Sequence, residues 1–487
     1  MRRHTLNIKE MLKERFEGKI CHILGFARSN KPLVSILLDA GACVFVHDKS
    51  EKVYEDEKYI EFRNEGVQFE IGESYLEKGL SGDYIFRSPG FRPDLPEIKS
   101  AIDNGARLSS EMELFFDICP CKIIGITGSD GKTTTTTLTH LFLDTEFKKE
   151  GKGRRAYVGG NIGAPLLPLV FEMTENDVAV VELSSFQLMT MKRSPSRALI
   201  TNVTPNHLNW HIDMDEYIGA KCNIYWNTGA EMVVLNREND VTREIAKNCD
   251  LPVTYFSSKQ TSYADIVPYF KDNAKAIYEE NGAIYLDNGK AREEIIKTAD
   301  ILLPGRHNVE NYMSAIALTA GYVSVDTVRE IARTFGGVEH RLELVRELDG
   351  VKFYNSSIDS SPTRTAAALS ALNVKPIIIC GGSEKGVAFD TLALDLCEKT
   401  KAVVLTGDSA PKILAEIKKC PIYDESKLTV RHIPDFDEAV KTAASLATRG
   451  DTVLLSPACA SFDHFRDFAH RGNHFKELVY SFKVNEL

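Results

Sequence analysis

The sequence predicts an α/β protein built from three domains. Short apolar runs alternate with helix-length segments along the chain, and several of those runs end in glycine or serine turns. The length of 487 residues is also too great for one core at ~150 residues per domain. The expected divisions are residues 1–118, 119–338 and 339–487.

Composition narrows the class. With 43% hydrophobic and 26% charged residues, the chain reads as soluble and globular. Its formal net charge of −10 argues against a general nucleic-acid binder or a protein that coats anionic membranes, while leaving room for local basic pockets. No apolar run reaches 18 residues, and the opening MRRHTLNIKEMLKERFEG is charged and amphipathic rather than a signal peptide. The ten cysteines are scattered, and only Cys119 and Cys121 lie close in sequence. No second pair or histidine cluster completes a zinc pattern, so they read as reduced thiols in a cytoplasmic protein.

The most informative stretch is KIIGITGSDGKTTTTT, residues 122–137. Ile123, Ile124 and Ile126 form a short buried strand, and Gly128-Ser129-Asp130-Gly131 a tight turn. Lys132 and Thr133 follow, and Thr134–Leu143 reads as a helix. Such a turn aims backbone N–H groups at an anion, Lys132 adds a full charge, and Thr133 offers a hydroxyl to magnesium. The strict P-loop pattern wants glycine at position 126, where isoleucine stands, so this is a variant loop.

Before it, KICHILG, an apolar helix over Pro32–Ala40 and CVFVHD make a Rossmann-like unit ending in Asp48. Its turn lacks the GxGxxG fingerprint, but Arg28 and Ser29 stand where a diphosphate can meet a helix N-terminus. The strand Asp83–Arg87 runs into the turn Ser88-Pro89-Gly90.

After the loop, DVAVVEL (177–183) is a buried strand ending in Glu182, a carboxylate placed as a nucleotide–magnesium site needs one. The strand ALITNV (198–203) leads to His207 and His211. Lys221 sits on a helix over Glu216–Trp226, and taken alone it reads as a surface lysine. Asn308 and Asn311 open a later helix and can bond a base edge. The last 149 residues (339–487) repeat the α/β pattern with strands at Pro376–Cys380, Ala402–Thr406 and Thr452–Leu455. Their turns bring Lys385 and Ser461 to one crevice.

In this order the motifs GITGSDGKTTT, GGNIG, ELSSFQL, TNVTPNHLNWH, AKCNIYWN, LPGRHNVENYMSA, EHRLE and SPACASFDHFRDFAHRGNHF resemble the Mur ligase family. These are ATP-dependent enzymes that add amino acids in peptidoglycan synthesis. The last block points to the branch that adds D-glutamate to UDP-N-acetylmuramoyl-L-alanine. The resemblance implies a UDP-sugar-binding first domain, a central P-loop domain for ATP and a Rossmann-like third domain for the amino acid. It implies ATP and magnesium, two ions, as cofactors, and a monomer with no nucleic-acid or membrane partner.

Carried across position by position, Gly128 to Thr134 would hold the ATP phosphates, with Asn308, Asn311 and Arg341 around the nucleotide. Thr133, Glu182, His207 and Lys221 would hold magnesium, Lys221 as a carbamate. Lys132, His207 and Lys221 would carry the catalysis. Arg28, Ser29, Asp48, Ser88, Gly90 and Asn161 would bind the UDP-sugar, and Lys385, Ser461, Phe462 and Phe468 the D-glutamate.

This sequence departs from the family where Asp130 and Asn206 stand, and above all at Asn355–Ser360. There a pattern resembling NDSKAT has lost its Asp and Lys to Ser356 and Ile358. Arg364 is the favoured compensating cation, ahead of Asp359 and Arg341; the plainer reading leaves Arg364 as a helix-end residue. Two other functions compete: a ligase like folylpolyglutamate synthase, which lacks a separate UDP-sugar domain, and a nucleotide-binding regulator on a degenerate ligase scaffold.

If Lys385 grips the amino acid, Lys385→Ala raises the apparent KM for D-glutamate far more than that for ATP in initial-rate kinetics. Equal changes in both would remove residues 381–386 from the amino-acid site.

Overall fold

The computed structural model describes residues 2–268, 273–372, 374–383 and 387–483. It contains three sheets, of five, nine and six strands, with helices packed on their faces. Clustering of the backbone divides the chain into two compact units. Residues up to Asp300 with Val309–Ile331 make the first, which carries two of the sheets; Ile301–Asn308 with the residues from Ala332 onward make the second.

The first sheet comprises β1 (Ile20–Leu24), β2 (Cys43–Asp48), β3 (Gln68–Ile71), β4 (Tyr84–Arg87) and β5 (Arg107–Ser109). Its order is β3-β2-β1-β4-β5, parallel throughout. Strand order reverses between β1 and β4, so the loops that follow these two strands open on one crevice. The helix Asn30–Asp39 turns Leu33, Val34, Ile36 and Leu37 inward. Pro32 is tolerated in its first turn because no intrahelical acceptor waits for an N–H there.

The charged N-terminal stretch forms the helix Arg2–Phe16, which buries Ile8, Leu12 and Phe16 at a spacing of four. Fifteen residues are marginal as an isolated helix. Burying three such side chains contributes roughly 5–9 kcal/mol, so tertiary packing holds this helix in place.

The nine-stranded sheet comprises β6 (Lys122–Thr127), β7 (Ala156–Gly160), β8 (Val178–Glu182), β9 (Arg197–Ile200), β10 (Met232–Asn236), β11 (Val253–Ser257), β12 (Lys275–Glu280), β13 (Ala283–Asp287) and β14 (Arg292–Lys297). The order is β14-β13-β12-β11-β10-β9-β6-β8-β7, parallel from β7 to β12 and antiparallel in the last two pairings. The sequence reading names no strands over the meander β12–β14. Its signal was present in two Asn-Gly dipeptides, Asn281-Gly282 and Asn288-Gly289, between alternating segments. Asn281 and Gly282 take φ of 49° and 77°, the left-handed pair such a two-residue hairpin needs.

The six-stranded sheet has β15 (Glu343–Leu348), β16 (Val351–Asn355), β17 (Ile377–Cys380), β18 (Ala402–Leu405), β19 (Thr429–His432) and β20 (Thr452–Leu455), ordered β15-β16-β20-β17-β18-β19. Only the edge pair β15–β16 is antiparallel. Among the described residues no helix is long and apolar enough to cross a membrane.

A buried histidine pair lies inside the first sheet. His22 Nδ1 and His47 Nε2 are 2.8 Å apart, His47 Nδ1 lies 2.7 Å from the Tyr75 carbonyl, and His22 Nε2 lies 3.1 Å from that of Ser81. Two neutral rings supply two protons for these three contacts, so one contact is left without a proton.

Burial pushes both pKa values down, that of His47 to about 4; Glu70 and Lys78 act on it in opposite directions. A base whose folded pKa is depressed binds fewer protons folded than unfolded. Its contribution is therefore complete above the unfolded value near 6.5 and drains away as pH falls toward 4. Ring ¹⁵N spectra should show His47 neutral down to about pH 5; protonation near pH 6.5 would contradict this environment.

Candidate active site

Pairing sets the site. β6 lies between β8 and β9, with Ile126 opposite Glu182 and Thr127 opposite Ile200. The loop that follows β6 therefore emerges between the ends of both neighbours. Gly128 has φ of 150°, and a Cβ there would overlap Thr201 Oγ1. Gly131 has φ of 78°, and a Cβ would meet Asn311 Oδ1 at 2.5 Å. These two glycines are required by crowding as well as by backbone angle.

Asn202 holds the turn from outside: its carbonyl accepts from Ser129 N at 2.9 Å and its Oδ1 from Asp130 N at 3.0 Å. Thr201 Oγ1 donates to the Asp130 carbonyl at 2.6 Å. The helix starts at Lys132, two residues before the sequence reading placed it, and runs to Glu150. Lys132, Thr133 and Thr134 thus form its first turn, where backbone N–H groups have no intrahelical acceptor.

Two lysines converge on one oxygen. Lys132 Nζ donates to the carbonyls of Gly128 and Ser129, both at 2.9 Å, and Lys221 Nζ donates to that of Gly128 at 2.8 Å. Lys221 is 1% exposed, which corrects its reading as a surface lysine. The helix Met214–Trp226 buries Tyr217, Ala220, Cys222, Ile224 and Tyr225, and Lys221 lies among them, with its Nζ 4.5 Å from the centre of the Tyr217 ring. Burial, followed by the charge of Lys132, drives its pKa well below the ordinary lysine value. An unpaired buried ammonium costs several kcal/mol, whereas a neutral hydrogen bond returns about 1 kcal/mol, so the amine is held toward its neutral form.

Glu182 ends β8, the strand paired with β6. It is 1% exposed; Oε1 accepts from Asn161 Nδ2 at 2.8 Å, and the buried Oε2 has no hydrogen-bond partner among the described residues. An orphaned carboxylate oxygen at a strand end beside a phosphate loop fits a metal ligand. His207 is exposed, in a left-handed conformation with φ of 56°, its ring 4.9 Å from that of Phe186. The groups packed around its ring partly desolvate it, and with the charges of Lys132 and Lys221 they lower its pKa, which favours the neutral ring. No group of three or more His, Cys, Asp or Glu among the described residues forms a metal cage.

In the first sheet, Asp48 accepts from Phe26 N at 2.7 Å and Ser50 N at 2.8 Å, shaping the loop that carries Arg28 and Ser29. Asn30 Nδ2 donates to Gly25 O and to Ser88 Oγ, both at 2.9 Å, joining the loops after β1 and β4. Arg28 and Gly90 are exposed at this rim.

The chain is similar to known proteins over nearly its whole length. Residues 126–319 match the Mur ligase middle domain, and residues 340–459 the glutamate ligase domain of Mur ligases. The UDP-N-acetylmuramoylalanine–D-glutamate ligase of Acetivibrio thermocellus is 42% identical, with 97% of this chain and 98% of that protein covered. Its counterpart in Ruminiclostridium cellulolyticum is also 42% identical, covering 98% of this chain and all (100%) of that one. The chain belongs to the Mur ligase family. Two solved structures share its fold. One is a UDP-N-acetylmuramoyl-L-alanyl-D-glutamate–2,6-diaminopimelate ligase (TM-score 0.54, 18% identity, covering 96% of this chain and 94% of that one). The other is the D-alanyl-D-alanyl ligase of Acinetobacter baumannii that acts on the diaminopimelate-bearing precursor (0.51, 16%, 83% and 92%).

In the second unit of this Mur ligase, Ser461 is 1% exposed and its Oγ has no hydrogen-bond partner among the described residues, while Phe462 and Phe468 are exposed. Lys385 lies outside the described residues. Asn308 is buried and donates to the Pro304 carbonyl at 2.6 Å; Asn311, in the first unit, accepts from Thr135 Oγ1 at 3.2 Å. Arg341 is half-buried, and its charge together with that of Arg364 acts on Asp359.

At Asn355–Ser360 the divergent residues bind their own scaffold. Ser356 Oγ accepts from Leu342 N at 3.1 Å, and Asp359 accepts from Ser456 Oγ at 2.8 Å with its pKa pushed up to about 6 by burial. Arg364 is exposed and donates to the Ile358 carbonyl at 3.1 Å, an arrangement that matches its plainer reading.

Sequence reasoning missed Arg471, 2% exposed, which donates to the carbonyls of Ser357, Cys459 and Ala460 and so braces the segment beside Ser461. Its signal was an arginine inside the block SPACASFDHFRDFAHRGNHF.

Gly128→Ala should deform the phosphate loop, because its Cβ displaces Thr201 Oγ1 from the Asp130 carbonyl. Overpacking of this kind costs about 1–3 kcal/mol, read as a lower melting temperature together with a loss of ATP affinity of about tenfold or more. Unchanged nucleotide binding by calorimetry would refute that role for the loop.

Proposed function

We propose that this protein joins D-glutamate to UDP-N-acetylmuramoyl-L-alanine at the expense of ATP, in cytoplasmic synthesis of the peptidoglycan precursor, and acts as a monomer. Identity of 42% across nearly its full length to ligases of that name carries the reading. The phosphate loop, with the orphaned Glu182 oxygen and a buried lysine beside it, supplies the matching chemistry.

In this reading residues 1–118 hold the UDP-sugar, through Arg28, Ser29, Asp48, Ser88 and Gly90, with Asn161 near the alanyl end. Residues 119–338 hold ATP on Gly128–Thr134, with Asn308, Asn311 and Arg341 around the nucleotide. Residues 339–487 hold D-glutamate, through Lys385, Ser461, Phe462 and Phe468; the unpartnered Ser461 hydroxyl supports that role.

A carboxylate is a poor electrophile. One of its oxygens attacks the γ-phosphorus of ATP, ADP leaves, and an acyl phosphate forms. The D-glutamate amine then attacks the carbonyl carbon, gives up a proton, and phosphate departs. Charge neutralisation and in-line placement govern such transfers. Lys132 and the first helical N–H groups stabilise the negative oxygens. Thr133, Glu182, His207 and Lys221 would hold magnesium, two ions in all, which neutralise phosphate charge when bound.

Lys221 would serve as a carbamate: its neutral amine attacks CO₂, an N–C bond forms, one proton is released, and the amine becomes an anionic ligand. The depressed pKa and the burial of Nζ favour that amine.

Phosphate release should require ATP, UDP-N-acetylmuramoyl-L-alanine and D-glutamate together, and other D- or L-amino acids should not replace D-glutamate. Turnover with a different amino acid would reassign the protein within the family. Lys132→Ala should lose at least ~10²-fold in kcat. Lys221→Ala should be inactive and regain part of its turnover with small carboxylates; an active Lys221→Ala would exclude the carbamate.

A further inference from the structure

The loop after β4 is tied to the phosphate loop through a route that none of the residues assigned above supplies. Arg92 donates to Asp94 Oδ1 from Nε at 2.8 Å and to Oδ2 from Nη2 at 2.9 Å, a fork within its own loop. The same guanidinium reaches the Trp210 carbonyl at 2.6 Å and both oxygens of Glu216, at 2.9 and 3.2 Å. Trp210 Nε1 returns a bond to the Gly90 carbonyl at 3.3 Å.

From Glu216 the path continues inward. Its Oε2 accepts from Ile212 N at 2.9 Å and from His211 Nδ1 at 3.1 Å. A carboxylate on Nδ1 makes that nitrogen the donor, so Nε2 of the neutral ring accepts from Ser185 Oγ at 2.9 Å. His211 is 2% exposed and packs on Tyr217, with ring centres 5.1 Å apart. The Tyr217 hydroxyl lies 3.0 Å from Ser129 Oγ in the phosphate loop, and the Tyr217 ring also carries Lys221. Each link is a direct contact, and the path passes through the segment that bears His207.

We infer that Arg92 is a positioning residue: by sharing one guanidinium between Asp94 of the Ser88–Asp94 loop and Glu216 of the helix Met214–Trp226, it couples occupancy of the sugar-nucleotide site to the geometry of the phosphate loop. The inference rests on the proposed placement of the UDP-sugar at Ser88 and Gly90. Arginine is required because a single planar fork meets two carboxylates and a carbonyl, which an ammonium on a flexible stem does not reproduce. Arg92 holds the pKa of Glu216 down to about 2, so the pair stays charged across the physiological range. Coupling between two ligands is reciprocal and is read from either one.

The test is calorimetry on the full chain with magnesium and a non-hydrolysable ATP analogue, AMP-PNP, with and without saturating UDP-N-acetylmuramoyl-L-alanine. The parent should bind AMP-PNP at least about fivefold more tightly when the sugar nucleotide is present. Arg92→Met should reduce that factor below about twofold while leaving the affinity for AMP-PNP alone within about twofold. Arg92→Lys should fall between, and Glu216→Gln, which keeps its shape, should lose most of the coupling.

A variant that melts earlier yet keeps the full factor shows a structural role only and overturns the inference. So does a parent that binds both ligands without coupling. A parent that binds AMP-PNP but no sugar nucleotide overturns the proposed function first, and this inference with it.

Discussion

The carbonyl oxygen of Gly128 receives two lysine side chains, and the active site is arranged around that crowding. Two ammonium groups on one oxygen would repel each other. Lys132 retains solvent access in the first helical turn, whereas Lys221 is enclosed by its own helix and by Tyr217. The buried amine therefore yields its proton first. Its depressed pKa follows from its position and from its neighbour's charge, not from any special feature of the residue.

That position depends on the sheet. β6 is central, paired on both sides, and each neighbour ends level with the phosphate loop. One neighbour delivers Glu182; the other delivers Thr201 and Asn202, which fasten the turn from outside. Gly128 and Gly131 are the positions where the fastening residues approach closest, so the loop's glycines serve packing as much as anion binding. The same economy appears around β1 and β4, where Asp48 shapes the loop after β1 and Asn30 joins it to the loop after β4.

The second unit shows how a divergent motif can remain structurally sound. Ser356 and Asp359 find partners in Leu342 N and Ser456 Oγ, and Arg471 satisfies three carbonyls next to Ser461. Once Ser356 is held in this way, loss of charge at its position leaves no unpaired donor there. The unpartnered Ser461 hydroxyl stands out against that satisfied background.

Local chemistry made much of this legible in the sequence. The fold class, the phosphate loop, Glu182 at a strand end and the turns after β1 and β4 follow from periodicity, glycine placement and the rule that ligands gather at strand C-termini. The β12–β14 meander was legible too, in its Asn-Gly turns, although the sequence reading passed over it. Lys221 was legible only by family resemblance, because a lysine on an amphipathic helix carries no sign of its own burial. Arg92 and Glu216 were not legible, since each acquires its role from a partner distant in the chain: Glu216 lies 124 residues from Arg92. Spacing along a strand or helix is a property of the sequence; which charge faces which carbonyl across two elements is decided only when the sheets pair and their helices pack.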